Sequence, residues 1–389
     1  MPTIYNSCYT SLEMKQLGKK LIISALAISL LGCNISNKPE EENIEKELFK
    51  YQNTALDAGF DTLYSYTEYG YDEDLLKKHF DMGTELFTTY NNLFDIYNDY
   101  EGINNLKTIN DNAGIKPVEV DEKIIEMLKE AKEFYELSNG AFDITIGAVL
   151  KVWHNYRDEG IALNEKGELA PLPTIEELEA VKGCRGFDKV EIDEEKNTVY
   201  INDPCVSLDV GGIAKGYAAE RIYDAIVDED TLYGTINAGR NIRAFNTKPD
   251  APWKIGVADP EGTSSALIIQ SDTENSFVTS GDYERFFIGE DGETYPHIVD
   301  PDTLYPAKYY RSVTIVTLDS GAADALSTAL FAMSIEDGKA LLKKYEEVSG
   351  NKASALWIMD KDKKQDVHGK ELENYFVAYT EDLEDKIAW

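Results

Sequence analysis

Three segments carry residue types whose spacing suits chemistry on phosphate. The first, Ser207-Leu-Asp-Val-Gly-Gly-Ile-Ala-Lys-Gly216, reads as a strand running through two glycines into a helix that opens with a lysine. Glycines let the backbone approach a ligand closely, and the free amides and dipole of a helix start favour an anion that Lys215 could further neutralise. The spacing matches neither the dinucleotide fingerprint nor the P-loop, so a plain strand-to-helix turn stays open beside a phosphate site. The second segment is the helix Asp319-Ser-Gly-Ala-Ala-Asp-Ala-Leu-Ser-Thr-Ala-Leu-Phe-Ala-Met333, where Asp324 and Thr328 share one face. A carboxylate and a hydroxyl one turn apart are hard oxygen ligands suited to Mg²⁺; a buried Asp satisfied by neighbouring backbone is the other reading. The third joins Thr279-Ser-Gly-Asp-Tyr-Glu-Arg-Phe-Phe287 to Tyr295-Pro-His-Ile-Val-Asp-Pro301. It sets hydroxyls, an arginine and a histidine on adjacent short strands or turns. His297, with Asp300 close in sequence, is the best general-base candidate, although a lone histidine also serves purely structural ends.

These segments need a scaffold, and the periodicities supply one. Residues 62–67 are strand-like and pass through Gly70 into a helix starting near Asp72, after which the chain to Asn110 reads as mostly helical, with Leu86, Tyr90, Leu93, Phe94 and Tyr97 at helical spacing. Residues 121–138 form a well-patterned helix that Asn139-Gly140 stops. Residues 141–145 lead into a buried segment ending at Trp153, and the charged, Gly/Pro-punctuated stretch 157–173 reads as a loop. A helix then opens at Thr174 with Glu177 completing a capping box. Residues 189–202 alternate as a hairpin with its turn near 194–197. A helix over 214–227, short strands from 234 to 316, helices over 321–333 and 335–347 and a strand at 355–359 follow. With no internal repeat and no linker beyond residue 50, the simplest organisation is one mixed α/β (α+β) domain.

Composition removes whole classes of function. Against 38 Lys and Arg stand 72 Asp and Glu, a net charge of −34 over 389 residues. Nucleic-acid binding needs cations to replace condensed counterions, so no nucleic-acid partner is expected. Near the N-terminus, lysines precede an apolar run from Leu21 to Leu31 that ends Leu-Gly-Cys33. The run is shorter than the roughly 20 residues a membrane-spanning helix needs and reads as a secretory signal. Its end resembles the bacterial lipoprotein box, which makes Cys33 the lipidated residue and the protein one held at the cell membrane, facing outside the cytoplasm. Residues 1–33 are then the signal, with Met14 a second plausible start, 34–50 an acidic tether and 51–389 the catalytic domain. Cys184 and Cys205 flank the 189–202 hairpin, so a disulfide across its base and two free buried thiols are both open. His79, His154, His297 and His368 lack metal-ligand spacing, which argues against a zinc site.

Taken in order, Gly140-Ala-Phe-Asp-Ile-Thr145 with Trp153, Leu208-Asp-Val-Gly-Gly-Ile-Ala-Lys-Gly-Tyr217, Asn237-Ala-Gly239, Thr279-Ser-Gly-Asp-Tyr-Glu-Arg285, His297-Ile-Val-Asp-Pro301 and Ala323-Asp-Ala-Leu-Ser-Thr328 resemble the ApbE family, the FAD:protein FMN transferases. The resemblance spans about residues 55 to 380. It implies a single T-fold-related catalytic domain and an Mg²⁺-dependent enzyme that splits FAD, joins the FMN half through its phosphate to a threonine of an acceptor flavoprotein, and releases AMP. The acceptor it implies carries an FMN-binding-type domain, as in redox-pump subunits. Carried over by motif, Asp143, Asp209 and Lys215 contact FAD, with Tyr97, Thr279 and Arg285 as further contacts. The Gly212 carbonyl, Asp324 and Thr328 hold the metal, Lys215 offsets charge during transfer, and His297 takes the proton from the acceptor threonine. Two positions depart from the pattern: Arg240 and Leu304 stand where the family usually has glycine. An FAD pyrophosphatase, with water replacing the threonine, and a non-catalytic FAD-binding lipoprotein are the alternatives.

Overall fold

The computed structural model describes residues 47–389 apart from Thr263. The signal-like run and Cys33 lie outside the described residues. The chain opens with β1 (Phe49–Gly59) and β2 (Thr62–Gly70), enters the long helix α1 (Glu73–Phe94), and passes through α2 (Leu106–Asp111), β3 (Val118–Glu119) and α3 (Glu122–Leu137) to α4 (Gly147–Asn164). Helix α5 (Ile175–Val181) precedes β4 (Val190–Asp193) and β5 (Thr198–Ile201), and α6 (Ala214–Ile226) follows them. Next come β6 (Tyr233–Ala238), β7 (Asn241–Phe245), β8 (Trp253–Ala258), β9 (Ser265–Ser271), β10 (Asn275–Gly281), β11 (Phe286–Ile288), β12 (Thr294–Pro296) and β13 (Ser312–Thr317). The chain ends with α7 (Ser320–Phe331), α8 (Ile335–Ser349), β14 (Ala353–Asp360), β15 (Gly369–Glu371), β16 (Tyr375–Tyr379) and β17 (Ile387–Ala388).

A 9-stranded sheet in the order β1-β2-β6-β7-β10-β13-β14-β16-β15, antiparallel at each pairing, is the backbone of the molecule. Alternation along its strands sends two sets of side chains to two cores. Tyr64, Ile236, Val278, Val313 and Ile315 face α1, α6 and α7, where Phe87, Ile222 and Leu326 close the layer. Phe277, Val316, Leu356 and Val377 face the small β17-β9-β8 sheet through Trp253, Leu267 and Ile269. Strands β13 and β14 are therefore buried on both faces. A third cluster, Val149, Trp153, Leu178, Phe287, Tyr295 and Leu304, joins α4 and α5 to the β11–β12 hairpin.

Local signals set the helix ends. Asp72 accepts from the Leu75 amide at 3.1 Å, and Thr174 and Glu177 cap α5 reciprocally at 3.2 Å and 2.8 Å. One helix expectation is corrected. The 157–173 loop is helical as far as Asn164, because Gly160 packs where a Cβ would lie 2.7 Å from the Phe287 ring, so it seats α4 rather than ending it. The stretch to Asn110 is mostly helical as expected, α1 and α2 being separated after Phe94 where Asp95 gathers the Tyr97 amide at 2.6 Å and the Tyr100 hydroxyl at 2.7 Å into a turn. Strand β1, at the sheet edge and largely exposed, starts at Phe49, inside the stretch read as tether. Among the described residues no helix is long and apolar enough to cross a membrane.

Cys184 and Cys205 form a disulfide that ties the segment after α5 to the loop after β5. With its ends 21 positions apart in sequence, the crosslink restricts the unfolded chain enough to contribute about 3 kcal/mol. Replacing both cysteines by serine should lower unfolding free energy by about that amount in chemical denaturation. A loss below about 1 kcal/mol would show that the unfolded chain is already restricted there.

Candidate active site

The first corner of the site lies where α6 meets α7. A Cβ on Gly216 would stand 2.2 Å from the Ser320 carbonyl oxygen and 2.6 Å from the Asp324 Cβ, so only glycine lets the two helices approach this closely. That approach fixes Asp324, whose Oδ2 accepts from the Gly216 amide at 2.9 Å and from Asn241 Nδ2 at 2.8 Å. Ile213, at the N-cap of α6, supplies no side-chain cap. A carboxylate from α7 therefore serves a helix-start amide of α6 that its own N-cap leaves without a side-chain acceptor. Both hydrogen bonds fall on Oδ2 and neither takes Oδ1. One turn further on, the Thr328 hydroxyl donates to the Gly212 carbonyl at 3.3 Å. Neighbouring ligands of an octahedral Mg²⁺, each about 2 Å from the ion, stand about 3 Å apart. The spacing of these two oxygens, with the Asp324 carboxylate beside them, thus fits a hard cation. Among the described residues there is no cluster of three or more His, Cys, Asp or Glu side chains able to hold a metal.

The second corner is a ledge made by residues 143–147 running beside residues 206–212. The Asp209 amide donates to the Ile144 carbonyl at 2.8 Å, and the Gly147 amide to the Ser207 carbonyl at 2.9 Å. Asn110 locks the ledge from α2, accepting from the Leu208 amide at 2.7 Å and donating to the Leu208 carbonyl at 2.9 Å. Asp143 and Asp209 are thereby carried on adjacent segments. Asp143 Oδ1 accepts from the Thr145 amide and hydroxyl at 2.8 Å and 2.6 Å, while Asp209 Oδ1 accepts from the Gly211 amide at 2.9 Å. Burial raises the Asp143 carboxyl above its usual range against the pull of those Thr145 bonds and of Arg185. Lys215 reaches back over the turn, its Nζ 3.3 Å from the Gly211 carbonyl.

The third wall holds His297. It follows β12, and the loop after it is pinned by Trp153, whose Nε1 donates to the Leu304 carbonyl at 2.8 Å. Burial, reinforced by the positive charge of Lys215, Arg157, Arg285 and His154, pushes His297 down to about 3. The imidazole is therefore neutral at physiological pH and can accept a proton. Its Nδ1 is buried without a hydrogen-bond partner among the described residues. Asp300, expected beside it, instead folds the loop: its Oδ1 accepts from the Asp302 amide at 2.8 Å and its Oδ2 from the Tyr309 hydroxyl at 3.3 Å.

The charges of Lys215 and Arg285 act on His297, those of Asp209 and Arg285 act on Tyr97 and His154, and the Tyr97 hydroxyl lies 3.1 Å from His154 Nδ1. Arg285 lies at the rim, 3.7 Å from Asp61. Thr279 is placed differently from the expectation of a side-chain contact. Its hydroxyl meets Thr314 across the β10–β13 pair at 2.8 Å, and the neighbour that strand alternation sends toward α7 is Ser280, 2.8 Å from Ser327. Sequence reasoning missed Asn241, His154 and Arg157. The last two sit one turn apart on α4, a signal hidden by reading that stretch as loop.

Both family-atypical positions keep a left-handed backbone, Arg240 at φ 74° and Leu304 at φ 65°. Such a conformation costs a side chain about 1–2 kcal/mol, but the two sites differ in what the side chain returns. Leu304 is only 3% exposed inside the Trp153 cluster, and losing a buried leucine costs about 2–5 kcal/mol. Leu304→Gly should therefore lower the melting temperature despite relieving the backbone. Arg240 is exposed and pairs with Glu284 at the surface, so Arg240→Gly should change stability by less than about 1 kcal/mol. Thermal denaturation of the two variants checks both.

The ApbE family matches residues 60–350. The chain is similar to the FAD:protein FMN transferase of Klebsiella pneumoniae (strain 342), with 30% identity over 293 residues covering 74% of this chain and 87% of that protein. It is similar to that of Treponema pallidum (strain Nichols), with 34% identity over 261 residues covering 62% and 68%. Among solved structures, the ApbE protein of Thermotoga maritima superposes with a TM-score of 0.65 at 32% identity, covering 80% of this chain and 94% of that one. The match runs from the end of β1 through α8, so this chain belongs to the ApbE family.

Proposed function

We propose that this protein is a FAD:protein FMN transferase that works with Mg²⁺ on an acceptor threonine. The observation that carries the reading is the contact of the Thr328 hydroxyl with the Gly212 carbonyl, one helical turn from Asp324, together with a neutral His297 set among cations, within the stretch that matches the family. Gly212, Asp324 and Thr328 would hold the metal, which when bound offsets negative charge on the phosphate oxygens. Lys215, at the start of α6, adds a fixed cation for the pyrophosphate. His297 takes the proton from the acceptor hydroxyl. The threonine oxygen then bonds to the FMN phosphorus, the bridging P–O bond breaks, and AMP leaves with that bond's electron pair. The rest of the site binds and orients FAD, including Asp143 and Asp209 on the ledge.

The acceptor is a flavoprotein with an FMN-binding-type domain, and the enzyme is lipid-anchored through Cys33 outside the cytoplasm. The signal-like run ending in Cys33 supports the anchor, and the Cys184–Cys205 disulfide supports an oxidising compartment. The test is incubation of the protein with FAD and Mg²⁺, with and without an FMN-binding-domain acceptor, read by intact mass. An acceptor heavier by one FMN moiety, formed only with metal, is the expected result. Free FMN and AMP beside an unmodified acceptor would point to the pyrophosphatase, and bound, uncleaved FAD to a carrier.

A further inference from the structure

Helix α4 brings a cation to the site that the family motifs do not account for. Arg157 is 13% exposed at its side chain, and its carboxylate contact is the next residue, Asp158, at 3.4 Å, itself 73% exposed. A guanidinium this enclosed with so loose a partner is costly unless an anion completes it. Arg157 stands one turn beyond Trp153 and His154 on α4, on the face whose contacts reach the Leu304 carbonyl of the loop after His297 and the Tyr97 hydroxyl. His154, one turn earlier, lies with Nδ1 3.1 Å from the Tyr97 hydroxyl. In the tautomer whose Nδ1 accepts from the tyrosine, the ring proton sits on Nε2 and can donate to a ligand. The stripe Val149, Trp153 and Gly160 packs α4 against β11, β12 and the loop through Leu304, which holds this pair in place. The buried Nδ1 of His297 is itself unpartnered among the described residues. Lys215, Arg157, Arg285 and His154 all act on His297 in a chain of net charge −34, while Asp209 and Asp158 act on Tyr97 and His154.

We propose that Arg157, assisted by His154, is a specificity-determining contact of this chain for the diphosphate of its flavin substrate. The planar guanidinium donates in parallel to non-bridging phosphate oxygens and so separates FAD from flavins that lack a diphosphate. This assignment rests on the transferase reading, and the test keeps the two apart. Binding of FAD, riboflavin and inorganic pyrophosphate to the full chain with Mg²⁺ is measured for the wild type, Arg157→Gln and Arg157→Lys by flavin fluorescence and calorimetry. Arg157→Gln should weaken FAD and pyrophosphate by about 10- to 100-fold and riboflavin by less than about twofold, with Arg157→Lys recovering part of the loss. FAD affinity unchanged in Arg157→Gln overturns the assignment while leaving the transferase reading intact. Equal losses for FAD and riboflavin in both variants also overturn it, because they describe a structural arginine. A wild type that binds pyrophosphate but not FAD overturns the transferase reading, and an Arg157→Gln loss on pyrophosphate then still supports the diphosphate contact.

Discussion

Asp324→Asn should lower FMN transfer by about a thousandfold or more while leaving the protein folded. The amide keeps the size of the carboxylate, and its oxygen can still accept from the Gly216 amide or Asn241 Nδ2, so the α6–α7 contact survives. What is lost is the only charge among the three donors expected to hold the metal, and a hard divalent ion without it binds far more weakly. Asp324→Ala should lose as much activity and stability besides. It leaves the Gly216 amide and the Asn241 side chain without their buried acceptor, a penalty of about 1–3 kcal/mol for each unpaired group. Turnover measured against Mg²⁺ concentration, alongside thermal unfolding, separates the two variants. Full turnover of Asp324→Asn at limiting Mg²⁺ would remove Asp324 from the metal site.

The order of these effects reflects what a linear sequence can display. The Asp324–Thr328 pair and the Gly-Gly-Lys turn were legible because each is a local pattern, one turn of helix or one strand-to-helix junction. Their partnership was not legible, since it depends on Gly216 admitting α7 to within contact and on Asn241, which β7 delivers from a distant stretch of chain. The same limit applies to α4. Its apolar stripe continues through Gly160, but a glycine among charged residues reads as a breaker until Phe287 is seen packed against it. With α4 cut short, His154 and Arg157 had no shared face, and the cationic wall stayed hidden. Strand β1 escaped for the opposite reason: a mostly exposed edge strand carries little alternation to detect. For Asp300, nearness in sequence to His297 suggested a partner, whereas the turn that carries it needed its oxygens for amides.

His297→Ala should slow transfer by about 10²- to 10⁴-fold while changing FAD affinity by less than about threefold. The two quantities separate because the groups placed to grip the substrate, Lys215 and Arg157 with the Asp324 corner, stay in place when the imidazole is removed. The pH profile gives an independent check with a definite sign. In the free protein, burial and the surrounding cations hold His297 down to about 3, so its base form is present throughout the physiological range. The acid limb of kcat/KM, which reports the free enzyme, should therefore not arise from His297 above about pH 4. Bound FAD brings a diphosphate whose negative charge offsets Lys215, Arg157 and Arg285, the charges that disfavour the imidazolium. The acid limb of kcat, which reports the complex, should accordingly lie at higher pH than that of kcat/KM. A His297-dependent limb of kcat/KM near pH 6 to 7 would contradict the cationic setting, and equal losses of binding and transfer in His297→Ala would make the residue structural. The base is weak in the empty site, and the substrate that needs it raises its basicity by bringing the diphosphate.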